Sequence, residues 1–123
     1  MSMSPSLIEF LRHIRDEINF LIKHSEGLTY DLLTEDEILN KAFIRSLEII
    51  GEASKRIPDE IREAYPEMDW KGFSGLRDVL IHQYWGVDFE ILWNILEDDI
   101  PFAKIWIDKI IETEISKQQN SNE

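Results

Sequence analysis

The sequence predicts an all-α fold, a bundle of four to five antiparallel helices with a kinked C-terminal helix. Three observations predict it. Apolar residues recur at steps of three and four along most of the chain. Residues that start and stop helices punctuate those runs where they should. Little lies outside the runs beyond the stretch EGLTYDLL and the polar tail SKQQNSNE.

The first run opens at Pro5, which suits the first turn of a helix. Leu7, Leu11, Ile14, Ile18 and Leu21 then form one apolar stripe. Thr34 with Glu37 has the spacing of a capping box, so a second helix is expected to start there. On it Lys41, Arg45, Glu48, Glu52 and Lys55 form a solvent stripe, while Ala42, Ser46, Ile49 and Ala53 form a stripe that permits close packing. Ile57-Pro58 ends this helix, because a residue before proline avoids helical torsions. PDEIREAYP holds at most a short helix. A helix is expected from about Trp70 to Gln83, broken by Gly86. Asp88 can cap the last long helix, where Phe89, Leu92, Leu96, Ile100, Ala103, Ile107 and Ile110 keep one phase across Pro101. A phase that survives a proline predicts one kinked helix rather than two. Residues 1–115 are thus expected to form a single helical domain, with 116–123 a disordered tail.

The composition bounds the function. Hydrophobic residues at 43% and charged residues at 31% of 123 positions describe a globular chain with one core. There is no cysteine, so neither disulfides nor thiolate metal sites are available. The N-terminus lacks the basic region and apolar core of a signal peptide, and no apolar run approaches a membrane span. A cytoplasmic protein without membrane contact is expected. The net charge of -12 argues against a protein that coats nucleic acid non-specifically, while leaving room for a local basic cleft. His13 and His24 have no partners at metal-ligand spacing, so neither a metal nor a cofactor is expected.

The segment GLRDVLIHQYWGVD carries the chemistry. Arg77, His82 and Tyr84 stand close together in an apolar run. On an ideal helix Arg77 and His82 would point about 140° apart, and Tyr84 within about 20° of Arg77. Asp78 would lie one turn before His82 on the same face. Two such helices meeting across a dimer axis could line one cleft with Arg and His from both chains. A neutral imidazole can take the proton of a ribose 2′-hydroxyl, and a guanidinium can grip the phosphate as its charge grows. This is the equipment of metal-free RNA cleavage, with a cyclic 2′,3′-phosphate as product.

Together with IGEA at 50–53 and RIPDEIR at 56–62, the segment resembles the HepT-like toxins of the HEPN superfamily, from about residue 5 to 112. Their hallmark, Arg, four to six residues, then His and often X-Tyr, falls here on Arg77, His82 and Tyr84. The resemblance implies an all-helical homodimer with both motifs at the cleft between subunits. It implies a metal-independent endoribonuclease acting as a toxin on RNA. It also implies an MNT-type nucleotidyltransferase antitoxin as partner, which can move AMP from ATP onto the motif tyrosine, Tyr84. Many members have Asn after the arginine where this chain has Asp78. A carboxylate one turn from His82 would raise the imidazole pKa and oppose RNA.

Plainer readings stand beside these. An Arg–His–Tyr grouping on a helix is commonly surface decoration or packing, and tyrosine often sits at an interface. Glu52 could face the cleft, yet it also stands four residues before Arg56 as a surface pair. Glu97, Asp98 and Asp99 read as a solvated face. Trp85, Trp93 and Trp106 read as core or interface. Apolar surface on the 88–112 helix, with Trp70 and Phe73, is expected to support a homodimer. The competing function is a non-catalytic module that uses the same cleft to hold a nucleotide or a partner nucleotidyltransferase.

Overall fold

The structure, a computed structural model, describes residues 5–82 and 86–121, with the backbone alone at Pro5, Ser6, His82 and Ser121. Tyr84 lies outside the described residues. The fold is all-α, as the apolar periodicity predicts. Helix α1 (Pro5–Ser25) buries its whole predicted stripe, from Leu7 to Leu21. Burying each such side chain contributes about 1.5–3 kcal/mol. The helix packs against α3 (Glu37–Lys55) and α8 (Ile100–Ser121). Its approach to α3 is close, for the Ser46 hydroxyl donates to the Glu17 carbonyl at 3.4 Å.

The start of α3 differs from the capping-box expectation. Thr34 belongs to a preceding one-turn helix, α2 (Tyr30–Glu35), and its hydroxyl donates to the Asp31 carbonyl at 2.9 Å. The cap of α3 is Asp36, whose carboxylate accepts from the Leu39 N–H at 3.0 Å. An aspartate one residue before the helix is the better acceptor for that N–H. At the other end Arg62, on α4 (Asp59–Ala64), donates to the carbonyls of Ser54 at 2.7 Å and Ile57 at 3.0 Å. The RIPDEIR segment thereby closes the C-terminus of α3, where carbonyls lack helical partners.

The expected helix over 70–83 is two short ones. α5 (Trp70–Ser74) and α6 (Leu76–Leu80) are separated at Gly75, and the chain then turns extended at Ile81. Ile81–His82 (β1) pairs antiparallel with Gly86–Val87 (β2), and the Asp88 N–H donates to the last helical carbonyl, Leu80, at 2.8 Å. Gly86 has a φ of 80°, which glycine adopts without penalty. The helical phase survives the break. Trp70, Phe73, Leu76 and Leu80 are all buried.

Gly51 explains how closely α5 can sit on α3. A Cβ there would stand 2.7 Å from the Phe73 carbonyl oxygen, so the two backbones touch. Gly51→Ala is expected to destabilise the fold by about 1–3 kcal/mol, because that backbone must move. Urea unfolding measures it, and an unchanged midpoint would refute the account.

The C-terminal rod is continuous, as expected across Pro101. α7 (Phe89–Asn94), capped by Asp88, passes through a π turn (Ile95–Asp99) into α8. Proline has no N–H and its ring collides with the carbonyl four residues back. The wider turn just before Pro101 accommodates that defect. Helix α8 continues to Ser121 and so takes in residues 116–121 of the expected disordered tail. Ile115 packs on the core and buried Glu114 accepts from the Tyr65 hydroxyl at 2.5 Å, while pairing with Lys117 at 3.1 Å. Extending an anchored helix past those contacts requires no new nucleus. Burial, then the hydrogen bond to Glu114, pushes the Tyr65 phenol above its ordinary pKa. No helix among the described residues is long and apolar enough to cross a membrane.

Candidate functional site

Arg77 stands on the five-residue helix α6, whose inner face is fixed by buried Leu76 and Leu80. That anchoring turns Arg77 and Asp78 outward, and both are exposed. They line a cavity of about 160 Å³ together with Ser74 and, from α3, Glu48, Glu52 and Lys55. Gly51 and Phe73 line it too, so the close approach of the two backbones forms its wall.

The charges in this cavity are distributed unevenly. Glu52 is paired with Lys55 at 3.3 Å. Arg77 makes no ion pair among the described residues, where the ion pairs are those of Lys41, Lys55, Lys104 and Lys117. An exposed guanidinium with its donors uncommitted is available to an anion. Glu52 is an exposed surface residue, as the plainer reading has it, though its ion pair is with Lys55 rather than Arg56; it also lines the Arg77 cavity.

His82 follows α6 in the extended strand β1. The helical-wheel angles of Arg77, His82 and Tyr84 therefore do not apply, and Asp78 is not one turn before His82 on a shared face. With α6 ended at Leu80, His82 can lie no more than about 7 Å beyond it along the chain. The motif is mounted on a helix end followed by a hairpin. Asp78 keeps a different role, as a carboxylate in the Arg77 cavity.

A second cavity, of about 450 Å³, lies on another side of α5 and α6. Met68, Phe73, Leu76, Ile91 and Ile95 line it, and Val79 and Phe102 at its margin are exposed. Its polar groups are the carboxylates of Glu67, Asp69 and Asp99. Burial, then Asp98 and Asp69, raise the Asp99 pKa above its ordinary value. Such a site repels phosphate. Trp70 and Phe73, expected at a dimer contact, are buried in the core at 4% and 6% exposure, and the exposed large apolar side chains among the described residues are Tyr30, Leu32, Ile38, Val79, Phe102 and Ile105. Trp93, edge-on against Tyr30, and Trp106, beneath Lys109, are half-buried and pack against the core; Trp85 lies outside the described residues. Glu97, Asp98 and Asp99 are solvated on the π turn. No group of metal-ligating side chains occurs among the described residues.

Ser74 and Lys55 were not singled out by sequence reasoning. The one signal for Lys55 is the α3 solvent stripe, whose Glu48, Glu52 and Lys55 face the Arg77 cavity.

Residues 14–110 match the family model described as Ribonuclease HepT-like. A protein of Caldanaerobacter subterraneus subsp. tengcongensis, named as a candidate RNase, is 41% identical over 85% of this chain and 94% of its own. One from Methanocaldococcus jannaschii, named in the same way, is 38% identical over 91% of this chain and 93% of its own. A protein of Thermococcus cleftensis named "Probable ribonuclease HepT" is 36% identical over 88% and 98%. No solved structure matches the chain significantly.

Proposed function

Because this chain belongs to the ribonuclease HepT-like family of the HEPN superfamily, we propose that it is a metal-independent endoribonuclease, the toxin of a HEPN/MNT toxin–antitoxin pair. The observation that carries the reading is Arg77, exposed, lining a cavity and without an ion pair among the described residues, with His82 two residues beyond the end of its helix. In this reading RNA enters with one phosphate on the Arg77 guanidinium. The His82 imidazole takes the 2′-hydroxyl proton, and the 2′-oxygen attacks the adjacent phosphorus. The bond to the 5′-oxygen breaks, that oxygen takes up a proton, and a 2′,3′-cyclic phosphate remains. No water is consumed and no metal is required. The guanidinium stabilises the dianionic phosphorane through paired N–H donors that a lysine does not offer.

The active form in this reading is a homodimer. Exposed Val79 on α6 supports a contact close to Arg77, with Phe102 and Ile105 extending the apolar surface on α8. A partner nucleotidyltransferase would silence the enzyme by adding AMP to Tyr84. A second reading, a non-catalytic binding module, keeps one observation in its favour: Asp78 shares the cavity with Arg77 and opposes an RNA phosphate there.

Incubating the purified protein with defined RNAs in EDTA separates these readings. Cuts that end in cyclic phosphates, made by a protein that sediments as a dimer, are expected. Intact RNA, or cleavage that EDTA abolishes, would leave the binding-module reading or a metal-dependent one.

A further inference from the structure

The net charge of -12 makes the position of each cation informative. The chain has six arginines, at 12, 15, 45, 56, 62 and 77. Arg62 is committed to the C-terminus of α3. Three of the others gather on one part of the surface. Arg77 lines the cavity already described, and Arg45 and Arg56 line a groove of about 380 Å³ between α1 and α3. His13 on α1 lines the same groove, over an apolar floor of Phe10, Ile49 and Ala53. Glu52 belongs to both the groove and the Arg77 cavity, so the two adjoin across the exposed stripe of α3.

We propose that this α1–α3 groove binds the sugar-phosphate backbone of single-stranded RNA, with Arg45, Arg56 and His13 as phosphate contacts, and leads the strand across Glu52 to Arg77. The proposal rests on the ribonuclease reading for its ligand. Its physical grounds are separate from the motif. Arg45 on α3 and Arg56, the residue that caps its end, are eleven residues apart, about 16 Å along the axis, a distance that several nucleotides can bridge. Neither makes an ion pair among the described residues. The Arg56 guanidinium lies 5.9 Å from the centroid of the Phe10 ring, which restrains it and leaves its edge donors open. Among the described residues the only carboxylate lining the groove is Glu52, and Lys55 offsets it at 3.3 Å. The larger cavity offers the contrast, with three carboxylates and no cation among its lining residues. Phosphate contacts of this kind position a strand without reading its sequence. That leaves the choice of cleavage point to the Arg77 end.

The test uses a fluorescein-labelled single-stranded RNA with every 2′-hydroxyl methylated, so that binding is read without cleavage. Anisotropy titrations at several salt concentrations give affinity and salt slope. The Arg45→Gln/Arg56→Gln double variant should bind at least about tenfold more weakly at low salt. Its log–log salt slope should be smaller by about 1.4, at roughly 0.7 per lost phosphate contact on a single strand. Arg45→Lys/Arg56→Lys should restore most of that slope, which a merely structural role would not predict. Lys41→Gln, on the same helix but paired with Glu37 outside both cavities, should match the parent. Parent-like affinity and slope in the double variant would overturn the groove, as would a parent that does not bind the oligonucleotide. A parent that binds through the groove yet leaves unmodified RNA intact would instead overturn the ribonuclease reading.

Discussion

The His82→Ala protein is expected to cut RNA about a hundred- to ten-thousandfold more slowly than the parent, the usual cost of losing a proton-transfer group. Its fold should be unchanged, because the helix before it is held by buried Leu76 and Leu80. Arg77→Ala should cost about as much as removing a donor from an oxyanion site, a hundred- to a thousandfold. Arg77→Lys should recover only part of this, since one ammonium cannot reproduce a paired N–H grip. If the two groups act on one transition state, the double variant should be little worse than the worse single one. Asp78→Asn should move the other way. Removing an exposed carboxylate from the cavity is worth less than about 1 kcal/mol, hence a gain of a few-fold in affinity for RNA. Single-turnover cleavage in EDTA measures all of these. His82→Ala protein that cuts as fast as the parent would end the proposed mechanism.

The long elements were legible because burial is periodic and the sequence records the period. Leu7 to Leu21 and Leu92 to Ile110 read directly as buried faces, and both are. The Arg77 segment misled for the same reason. Trp70, Phe73, Leu76 and Leu80 keep helical phase across Gly75, so their spacing cannot reveal that two helices share one buried face. What stops α6 is not local. The Asp88 N–H comes back to the Leu80 carbonyl, eight residues earlier in the chain, and only tertiary structure supplies that bond. Gly86, at positive φ, was the visible trace of the return. The close approach at Gly51 was likewise hidden, since it depends on where the Phe73 carbonyl lies. The cavity beside Arg77 is a consequence of that approach. Of the α3 residues that line the Arg77 cavity, the sequence pointed to Glu52 but not to Glu48, Gly51 or Lys55.

Tyr84→Phe is expected to remain a nuclease and to become refractory to AMP transfer, a complete loss of modification from the removal of one oxygen. In the proposed transfer the Tyr84 phenolic oxygen attacks the α-phosphorus of ATP. The bond to the β-phosphate bridging oxygen breaks, pyrophosphate departs, and the phenol proton passes to a base. Phenylalanine has no oxygen to make that bond. The chain itself limits how far the added group can be from the site. Tyr84 is two residues from His82, so their Cα atoms are at most about 7 Å apart. In this proposal the phosphate of the attached nucleotide contacts Arg77, which makes no ion pair among the described residues. It would occupy the guanidinium that an RNA phosphate needs and fill the approach to His82, so inhibition is both electrostatic and steric. Because Arg77 would hold the phosphate in this account, Arg77→Ala should still be modified at Tyr84, while the modified parent loses RNA binding. Intact-mass measurement after incubation with the cognate nucleotidyltransferase, ATP and magnesium reads the result. The parent should gain the mass of an adenylyl group, AMP less one water, and the Phe variant none. Equal gains on both would place the acceptor elsewhere in the chain.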